Sequence, residues 1–389
     1  MMKKIIIFLA LIICYNAFST PMLYVVNSFS DNISVIDTMK NQVVTEINCS
    51  VPVYRMIIDK DGKYGYITSA TTENKSQMNG LFKIDLNKNV ITQKIPLALS
   101  AMSNVHLSPG SNFAFVVTAG PAGKRNEIRG KLLVIDLKSS KVVGTILLGL
   151  NPLDSVMTND SKKIFTTDWG SKSVTVVDLI KGRVEDTIPL GNYPARTMAI
   201  SPDGKQIYLP LEERASSLPT QQNYNMPLNN MQQTQASIKQ EYNLVVINVD
   251  KLNIEKYHID NLTRPIATLI NKDKLYILNV SGTASKLFEI KIPITDKIEQ
   301  SEKIIPVAVN MTFNQFNDNL YLIGTDGDKK QEAVIQKNYN SQSNTANQIP
   351  NTINNLQQLN KTVTVIDPDT GKVIKVITVG AMPVDGVVK

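Results

Sequence analysis

The sequence predicts an all-β protein, a seven-bladed β-propeller whose blades are four-stranded antiparallel sheets. Residues 173–210 contain three alternating apolar runs (174–179, 184–190 and 197–200), and a fourth begins at 207. Turn residues such as Ser201-Pro202-Asp203-Gly204 separate them. Alternating Val, Ile, Thr and Tyr are typical of strands, and clusters of Gly, Pro, Asn and Asp of tight turns. This stretch is therefore a four-stranded meander, which cannot bury both of its faces alone.

The same unit recurs along the chain, and the recurrence indicates the number of blades. Four-stranded units that repeat about every 40–45 residues are typical of β-propellers. The third strand of the unit occurs seven times and closes with Asp in five of them, where the carboxylate can bond the backbone of the next turn. These third strands lie at 33–37, 81–85, 132–136, 174–178, 244–248, 287–291 and 363–367.

The two ends of the chain complement each other. Strands at 23–27, 33–37 and 43–48 have no innermost strand before them, whereas residues 382–389 resemble an innermost strand without partners after it. Pairing them would complete one blade, close the ring and remove two exposed sheet edges. The other blades are expected at about 52–96, 103–148, 153–190, 195–259, 265–304 and 307–379.

Residues 1–19 have the composition of an export signal. Lys3 and Lys4 precede an apolar run at 5–13, which is too short to span a bilayer, and small residues at 17–19 suit cleavage. Cleavage would lower the formal net charge from +7 to +5 and leave Cys49 as the single cysteine. We therefore expect an exported, periplasmic or secreted monomer without an intramolecular disulfide, formed by residues 20–389 as a single propeller.

Several motifs resemble those of the YVTN family of β-propeller repeats. They are the strand Ile-Ser-Val-Ile-Asp at 33–37, the turn Ser-Pro-Asp-Gly-Lys at 201–205, Leu-Tyr-Val-Val-Asn at 23–27 and the Gly-x-x-Pro joints between blades. Similar motifs occur in exported bacterial propellers, archaeal surface-layer proteins and lactonase-type propellers. The resemblance covers nearly all of the mature chain and implies the fold more strongly than an activity. Blade 6 departs from it, because its turn at 271–274 lacks Pro-Asp-Gly.

Two stretches interrupt the repeat. Residues 214–242 and 329–361 are rich in Gln, Asn and Ser and show no periodicity, which is typical of flexible insertions. Both fall between the second and third strands of a blade, as does a milder expansion at 119–131. In a meander these connections emerge on the same face as the joints between blades. We expect function on that face, because loops on a rigid scaffold carry binding and chemistry.

Charged and aromatic residues of the joints are candidates for a ligand or partner site at the channel mouth. Guanidinium groups match the geometry of carboxylates and phosphates, so such a mouth could bind an anionic ligand. Alternatively, Arg196 with Asp154 and Arg55 with Asp385 could form ion pairs between blades. The candidate residues are Tyr54, Arg55, Asp154, Arg196, Arg264 and Asp385.

Asp168 and Trp169 lie on a connection at the same rim, and Trp169 is the single tryptophan. It could bind a partner or a ring-shaped ligand, or pack against the next blade. Glu212, Glu213 and Arg214, which open the first insertion, are expected to be solvated rather than catalytic.

Motifs for cofactor or metal chemistry are scarce in the sequence. His106 and His258 belong to different blades, and neither a nucleophile elbow nor a phosphate-binding glycine loop occurs. We therefore predict no cofactor, no metal site and no catalytic residues. The chain is expected not to be transmembrane.

Three function classes remain. The first is a non-catalytic scaffold that binds an envelope protein or a small anionic ligand through the rim and channel mouth. The second is a lactonase-like hydrolase at the mouth. The third is binding of DNA or another polyanion, suggested by an isoelectric point near 9.1; its affinity should fall steeply with salt.

Overall fold

Seven four-stranded antiparallel sheets form the described part of the chain in a computed structural model. The described residues are 20–69, 80–97, 104–120, 124, 127–213, 241–281, 284–295, 298–306, 308–325 and 361–389. The expected export signal at 1–19 lies outside them, as does nearly all of both long insertions. Apart from a short 3-10 turn at Pro109–Ser111, the described elements are strands and turns.

The strands are numbered in chain order. Blade 1 comprises Met22–Asn27 (β1), Asn32–Asp37 (β2), Gln42–Asn48 (β3) and, from the other end of the chain, Pro383–Val388 (β28). Blade 2 comprises Val53–Ile58 (β4), Tyr64–Ser69 (β5), Gly80–Asp85 (β6) and Val90–Pro96 (β7). Blade 3 comprises Val105–Leu107 (β8), Phe113–Thr118 (β9), Arg129–Asp136 (β10) and Lys141–Leu150 (β11). Blade 4 comprises Pro152–Met157 (β12), Lys163–Asp168 (β13), Ser173–Asp178 (β14) and Arg183–Pro189 (β15).

The remaining three blades follow the same order. Blade 5 comprises Ala199–Ile200 (β16), Gln206–Pro210 (β17), Leu244–Asn248 (β18) and Ile254–Tyr257 (β19). Blade 6 comprises Pro265–Asn271 (β20), Lys274–Ser281 (β21), Ala284–Lys291 (β22) and Gln300–Ile305 (β23). Blade 7 comprises Asn310–Asn314 (β24), Asn319–Thr325 (β25), Thr362–Ile366 (β26) and Val373–Thr378 (β27). The predicted all-β, seven-bladed architecture is confirmed.

Ring closure occurs as the two chain ends predict. Strand β28 pairs antiparallel with β1, with Leu23 opposite Val388 and Val26 opposite Asp385. The backbone N–H of Lys389 then donates to the carbonyl of Met22 at 2.8 Å. The first and last strands therefore share one sheet.

The apolar core lies between the blades. Each of seven clusters of buried side chains joins two neighbouring sheets, and the cluster of Leu23, Val25, Tyr321 and Ile323 joins blade 7 to blade 1. Because every blade face packs against the next blade, burial is continuous around the ring.

Four of the five repeated aspartates end a third strand as predicted, and Asp367 directly follows β26. In blade 4, Asp178 Oδ1 accepts from the backbone N–H groups of Ile180 and Lys181 at 2.9 and 2.8 Å. Asp37 and Asp136 accept in the same way in blades 1 and 3. These bonds lower the pKa of all three carboxyls. The aspartates therefore stabilise the turns between the third and fourth strands.

Three local boundaries differ from the sequence expectation. The strand expected at 197–200 is shorter, because β16 pairs only at Ala199 and Ile200. The expansion expected at 119–131 ends earlier, because β10 begins at Arg129. Tyr242, expected inside an insertion, packs its ring edge-on against Tyr193 with centroids 6.3 Å apart.

Candidate functional site

The first strands of the blades surround a cavity of about 640 Å³ in the centre of the ring. Hydrogen bonds show that its mouth lies on the face that carries the connections between second and third strands. Trp169 N–H, from that connection in blade 4, donates to Asn151 O in the joint before the blade, at 3.1 Å. In blade 1, Ser28 N–H donates to Met382 O at 3.0 Å. The charged lining residues include Arg55, Asp154, Arg196 and Asp385.

Asp154 and Asp385 connect neighbouring blades by hydrogen bonds from their carboxylates to backbone N–H groups and asparagine side chains. Asp154 Oδ2 accepts from the N–H of Met198 in blade 5 at 2.9 Å, and Asn104 of blade 3 donates to its other oxygen. Asp385 Oδ2 accepts from the N–H of Met56 in blade 2 at 3.0 Å, and Oδ1 accepts from Asn310 of blade 7 at 3.1 Å. Each carboxylate thus connects three successive blades.

Burial raises the pKa values of Asp154 and Asp385 above the usual value of an aspartate. The positive charge of Arg55 and the backbone hydrogen bonds oppose this shift. The two acids are therefore held by the fold rather than free to bind a ligand, since several donors already satisfy them.

The alternative ion pairs, Arg196 with Asp154 and Arg55 with Asp385, do not form direct contacts. Arg196 pairs with Glu212, Nη2 to Oε2 at 3.2 Å, instead of with Asp154. Arg55 donates through Nη1 to the carbonyls of Val384 at 3.1 Å and Tyr54 at 3.3 Å, while Asp385 bonds Met56 and Asn310. β-Bulges at Val53/Arg55 and Pro152/Asp154 redirect these side chains, and Tyr54 itself occupies the first bulge.

His106 lines the same cavity and bonds Ser155 across the blade interface, Nε2 to Oγ at 2.8 Å. Burial lowers the pKa of His106 to about 4, so the imidazole is neutral at physiological pH. In the described part of the chain, no group of three or more His, Cys, Asp or Glu side chains could hold a metal ion.

A second cluster lies beside the cavity at its mouth and centres on Glu212. Trp169 Nε1–H donates to Glu212 Oε2 at 2.9 Å, and Arg196 donates to the same oxygen. Arg264 Nε lies 3.9 Å from Glu212 Oε1. The guanidinium of Arg196 also lies 5.9 Å from the centroid of the Trp169 ring. We call Trp169, Arg196, Glu212 and Arg264 the mouth cluster.

The sequence-based expectation for Glu212 is therefore wrong. Its side chain is only 13% exposed because it lies beneath two arginines and an indole that come from three consecutive blades. The backbone is also fixed: Glu212 N–H donates to Pro194 O at 2.8 Å, and Glu213 N–H to Thr263 O at 2.7 Å. The bridge at Ala195 and Leu211 extends the blade 5 pairing up to this residue.

Asp168 is buried inside blade 4 and does not lie at the surface of the rim. It is the last residue of β13 and is buried, with Thr166 Oγ1 donating to it at 3.0 Å and Thr175 Oγ1 donating as well. Burial raises its pKa to about 6. Of the adjacent pair Asp168 and Trp169, the structure brings only Trp169 into the mouth cluster.

Lysines on the opposite face carry partly compensated charges. Lys40, Lys181 and Lys162 contact Asp37, Asp178 and Asp160 at 3.2, 3.0 and 3.2 Å. All three lie in turns between strands one and two or three and four, as the sequence predicts. Binding of DNA or another polyanion stays a prediction.

No protein-family model matches the chain, and the YVTN family is not confirmed in this way. Antigen Lp49 of Leptospira interrogans is 24% identical over 186 residues, which cover 45% of this chain and 39% of that protein. The match thus spans well under half of the relative's length. No helix among the described residues has the length and apolar character that crossing a bilayer requires.

Solved structures resemble the chain over most of its length. A functionally unknown protein from Desulfotomaculum acetoxidans matches with a TM-score of 0.63 and 12% identity, covering 94% of this chain and 98% of that one. A Bacteroides uniformis protein proposed to be a 6-phosphogluconolactonase gives 0.61 and 11%, covering 95% and 100%. Hydrazine synthase of Kuenenia stuttgartiensis gives 0.59 and 16%, covering 77% and 88%. At such identities the similarities show the fold, a seven-bladed β-propeller.

Proposed function

We propose that the chain is a non-catalytic binding module that engages an envelope partner through its mouth face. The mouth cluster carries the proposal: two arginines and the single tryptophan of the chain converge beside the cavity. Trp and Arg dominate the energetics of many protein interfaces because they combine contact area with directed donors. The face that presents them also carries the ends of the described chain at Glu213 and Glu241, where the first insertion begins and returns.

We propose an exported location for this module. The composition of residues 1–19 supports it, and so does the similarity to a leptospiral protein named an antigen. The insertions expected at 214–242 and 329–361, whose composition is typical of segments that fold on binding, would then extend the contact surface.

Capture from an envelope extract tests the proposal. The mature chain, Arg264→Glu and Lys251→Glu would be immobilised at equal density, and retained proteins would be identified by mass spectrometry. Lys251→Glu is a matched control, because it makes the same charge change on an exposed turn of the opposite face. A partner retained by the mature chain and the control but lost by Arg264→Glu supports the proposal. Identical retention by all three contradicts it.

A lactonase-like hydrolase is the second candidate, and the cavity favours it. The cavity volume suits a small ligand, and carboxyl, guanidinium and imidazole groups line it. A panel of aldonolactones and simple esters would be tested with the mature chain and Arg196→Ala. Turnover that disappears in the variant supports hydrolysis at the mouth, whereas no turnover by the mature chain removes this candidate.

A further inference from the structure

Trp169 and Arg196 donate hydrogen bonds to one carboxylate of the chain itself, and the guanidinium of Arg264 lies within ion-pair distance of it. Trp169 Nε1, Arg196 Nη2 and Arg264 Nε approach the Glu212 carboxylate at 2.9, 3.2 and 3.9 Å. They come from blade 4, from the joint before blade 5 and from the joint before blade 6. A donor set assembled from separate loops around one carboxylate has the geometry of an anion site.

The charge of this cluster is unbalanced. Two guanidinium groups share one carboxylate, which leaves one excess positive charge. The side chain of Arg264 is 56% exposed, whereas that of Glu212 is 13% exposed. Arg264 therefore presents unused N–H donors to solvent, and an external anion can reach it without disturbing the cavity wall.

The backbone around Glu212 is held by hydrogen bonds that do not involve its carboxylate. Its N–H is bonded to Pro194 O, and the N–H of Glu213 to Thr263 O, so the backbone on both sides of the side chain is held. The contact of Glu212 with Arg264 is also the longest of the three. Exchange of Glu212 for another acidic group therefore leaves the blade intact.

We infer that the mouth cluster is a binding site for an acidic oxygen group, a carboxylate or a phosphate, and that Glu212 occupies it as an internal competitor. The inference rests on the proposed binding role of the mouth face and adds the chemistry that the face recognises. A partner must displace Glu212 from Arg264 and Arg196, so affinity is held below what the two arginines alone would give.

Fluorescence of Trp169, the single tryptophan, provides a direct test. The mature chain, Glu212→Gln and Glu213→Gln would be titrated with inorganic phosphate and, separately, citrate, with KCl keeping the ionic strength constant. Gln at 212 keeps an amide oxygen for the indole N–H but removes the competing charge. Glu213→Gln is the matched control, because it makes the same charge change at the neighbouring residue.

We expect Glu212→Gln to bind at least one probe about tenfold more tightly than the mature chain and Glu213→Gln. The two probes separate phosphate from carboxylate recognition. Urea unfolding of each variant checks that the fold is unchanged. The double variant Glu212→Gln/Arg264→Gln should lose the gain in affinity, which assigns that gain to the site.

Equal or weaker binding by Glu212→Gln overturns the inference, as does the absence of any saturable response in all variants, checked by calorimetry. Such a result leaves the proposed function standing if the envelope partner is still lost with Arg264→Glu. Conversely, tight probe binding in the titrations can coincide with a capture experiment that yields no partner whose retention depends on Arg264. That combination supports the anion site and contradicts the scaffold proposal.

Discussion

At the residue scale, the carboxyls of this protein have opposite roles that depend on burial. Asp178 lies at the surface, and backbone N–H groups and Lys181 lower its pKa. Asp168 lies inside blade 4, where burial raises its pKa to about 6 in spite of two threonine hydroxyls. The first ionises at little cost, whereas the second ionises at the expense of the folded state.

Asp168→Asn should flatten the pH dependence of stability. Because the folded pKa is about 6 and the unfolded pKa near 3.8, the contribution of Asp168 is fully present below pH 4. This contribution to the free energy of unfolding, up to about 3 kcal/mol, is lost as the pH rises through about 6, and no further loss follows at higher pH. Urea unfolding at intervals between pH 4 and 7 measures this, with the exposed Asp186→Asn as control. Parallel pH profiles of stability for the unsubstituted protein and Asp168→Asn would contradict the assignment.

At the element scale, the third strand and its following turn form the repeating unit of stability. The terminal aspartate accepts two turn N–H groups, while the strand itself packs between two neighbouring blades. This unit is also why the fold could be read from the sequence: a short apolar run closed by Asp is local, and it recurs.

Asp178→Ala should lower the urea midpoint of the protein, because two turn N–H groups lose their acceptor. Since the pKa of Asp178 is lowered, its contribution is present above the unfolded pKa near 3.8 and is lost at more acidic pH. Urea midpoints at pH 7 and pH 3 measure both statements. Asp250→Ala, an exposed turn carboxylate of blade 5, serves as control, and an equal loss in both variants would refute this role.

The site was less accessible to sequence reasoning than the fold. Trp169, Arg196 and Arg264 were predicted at the mouth, but the pairing of Arg196 with Glu212 was not, because it depends on how the end of blade 5 folds over the cavity. Bulges at Val53/Arg55 and Pro152/Asp154 also change which face a side chain takes. Nothing in the residue pattern marks a bulge, so the inter-blade hydrogen bonds of Asp154 and Asp385 could not be predicted from the sequence. The sequence signal for Glu212 is its position directly after the apolar run at 207–211.

At the scale of the whole molecule, stability depends on an unbroken ring. Strand β28 gives blade 1 its innermost strand, and Asp385 within it bonds both blade 7 and blade 2. The seven core clusters each need two blades, so loss of one strand exposes two clusters.

Deletion of residues 383–389 should unfold the entire propeller, so that the truncated chain shows no cooperative thermal transition. The physical reason is that the faces of β1 and β25 that pack against β28 would meet water. Thermal circular dichroism and limited proteolysis measure the effect, with removal of Lys389 alone as control. A truncated chain that melts cooperatively at nearly the same temperature as the untruncated protein would disprove it.

The seam between β1 and β28 also governs the order of events during biogenesis. Leu23 and Val388 are partners although nearly the whole chain separates them. Contacts of such long sequence separation form late and slow folding. The first blade of a nascent chain therefore stays incomplete until β28 has left the ribosome, and the ring cannot close before that point. For the exported location proposed above, late closure would keep the chain in a state that a translocation channel accepts.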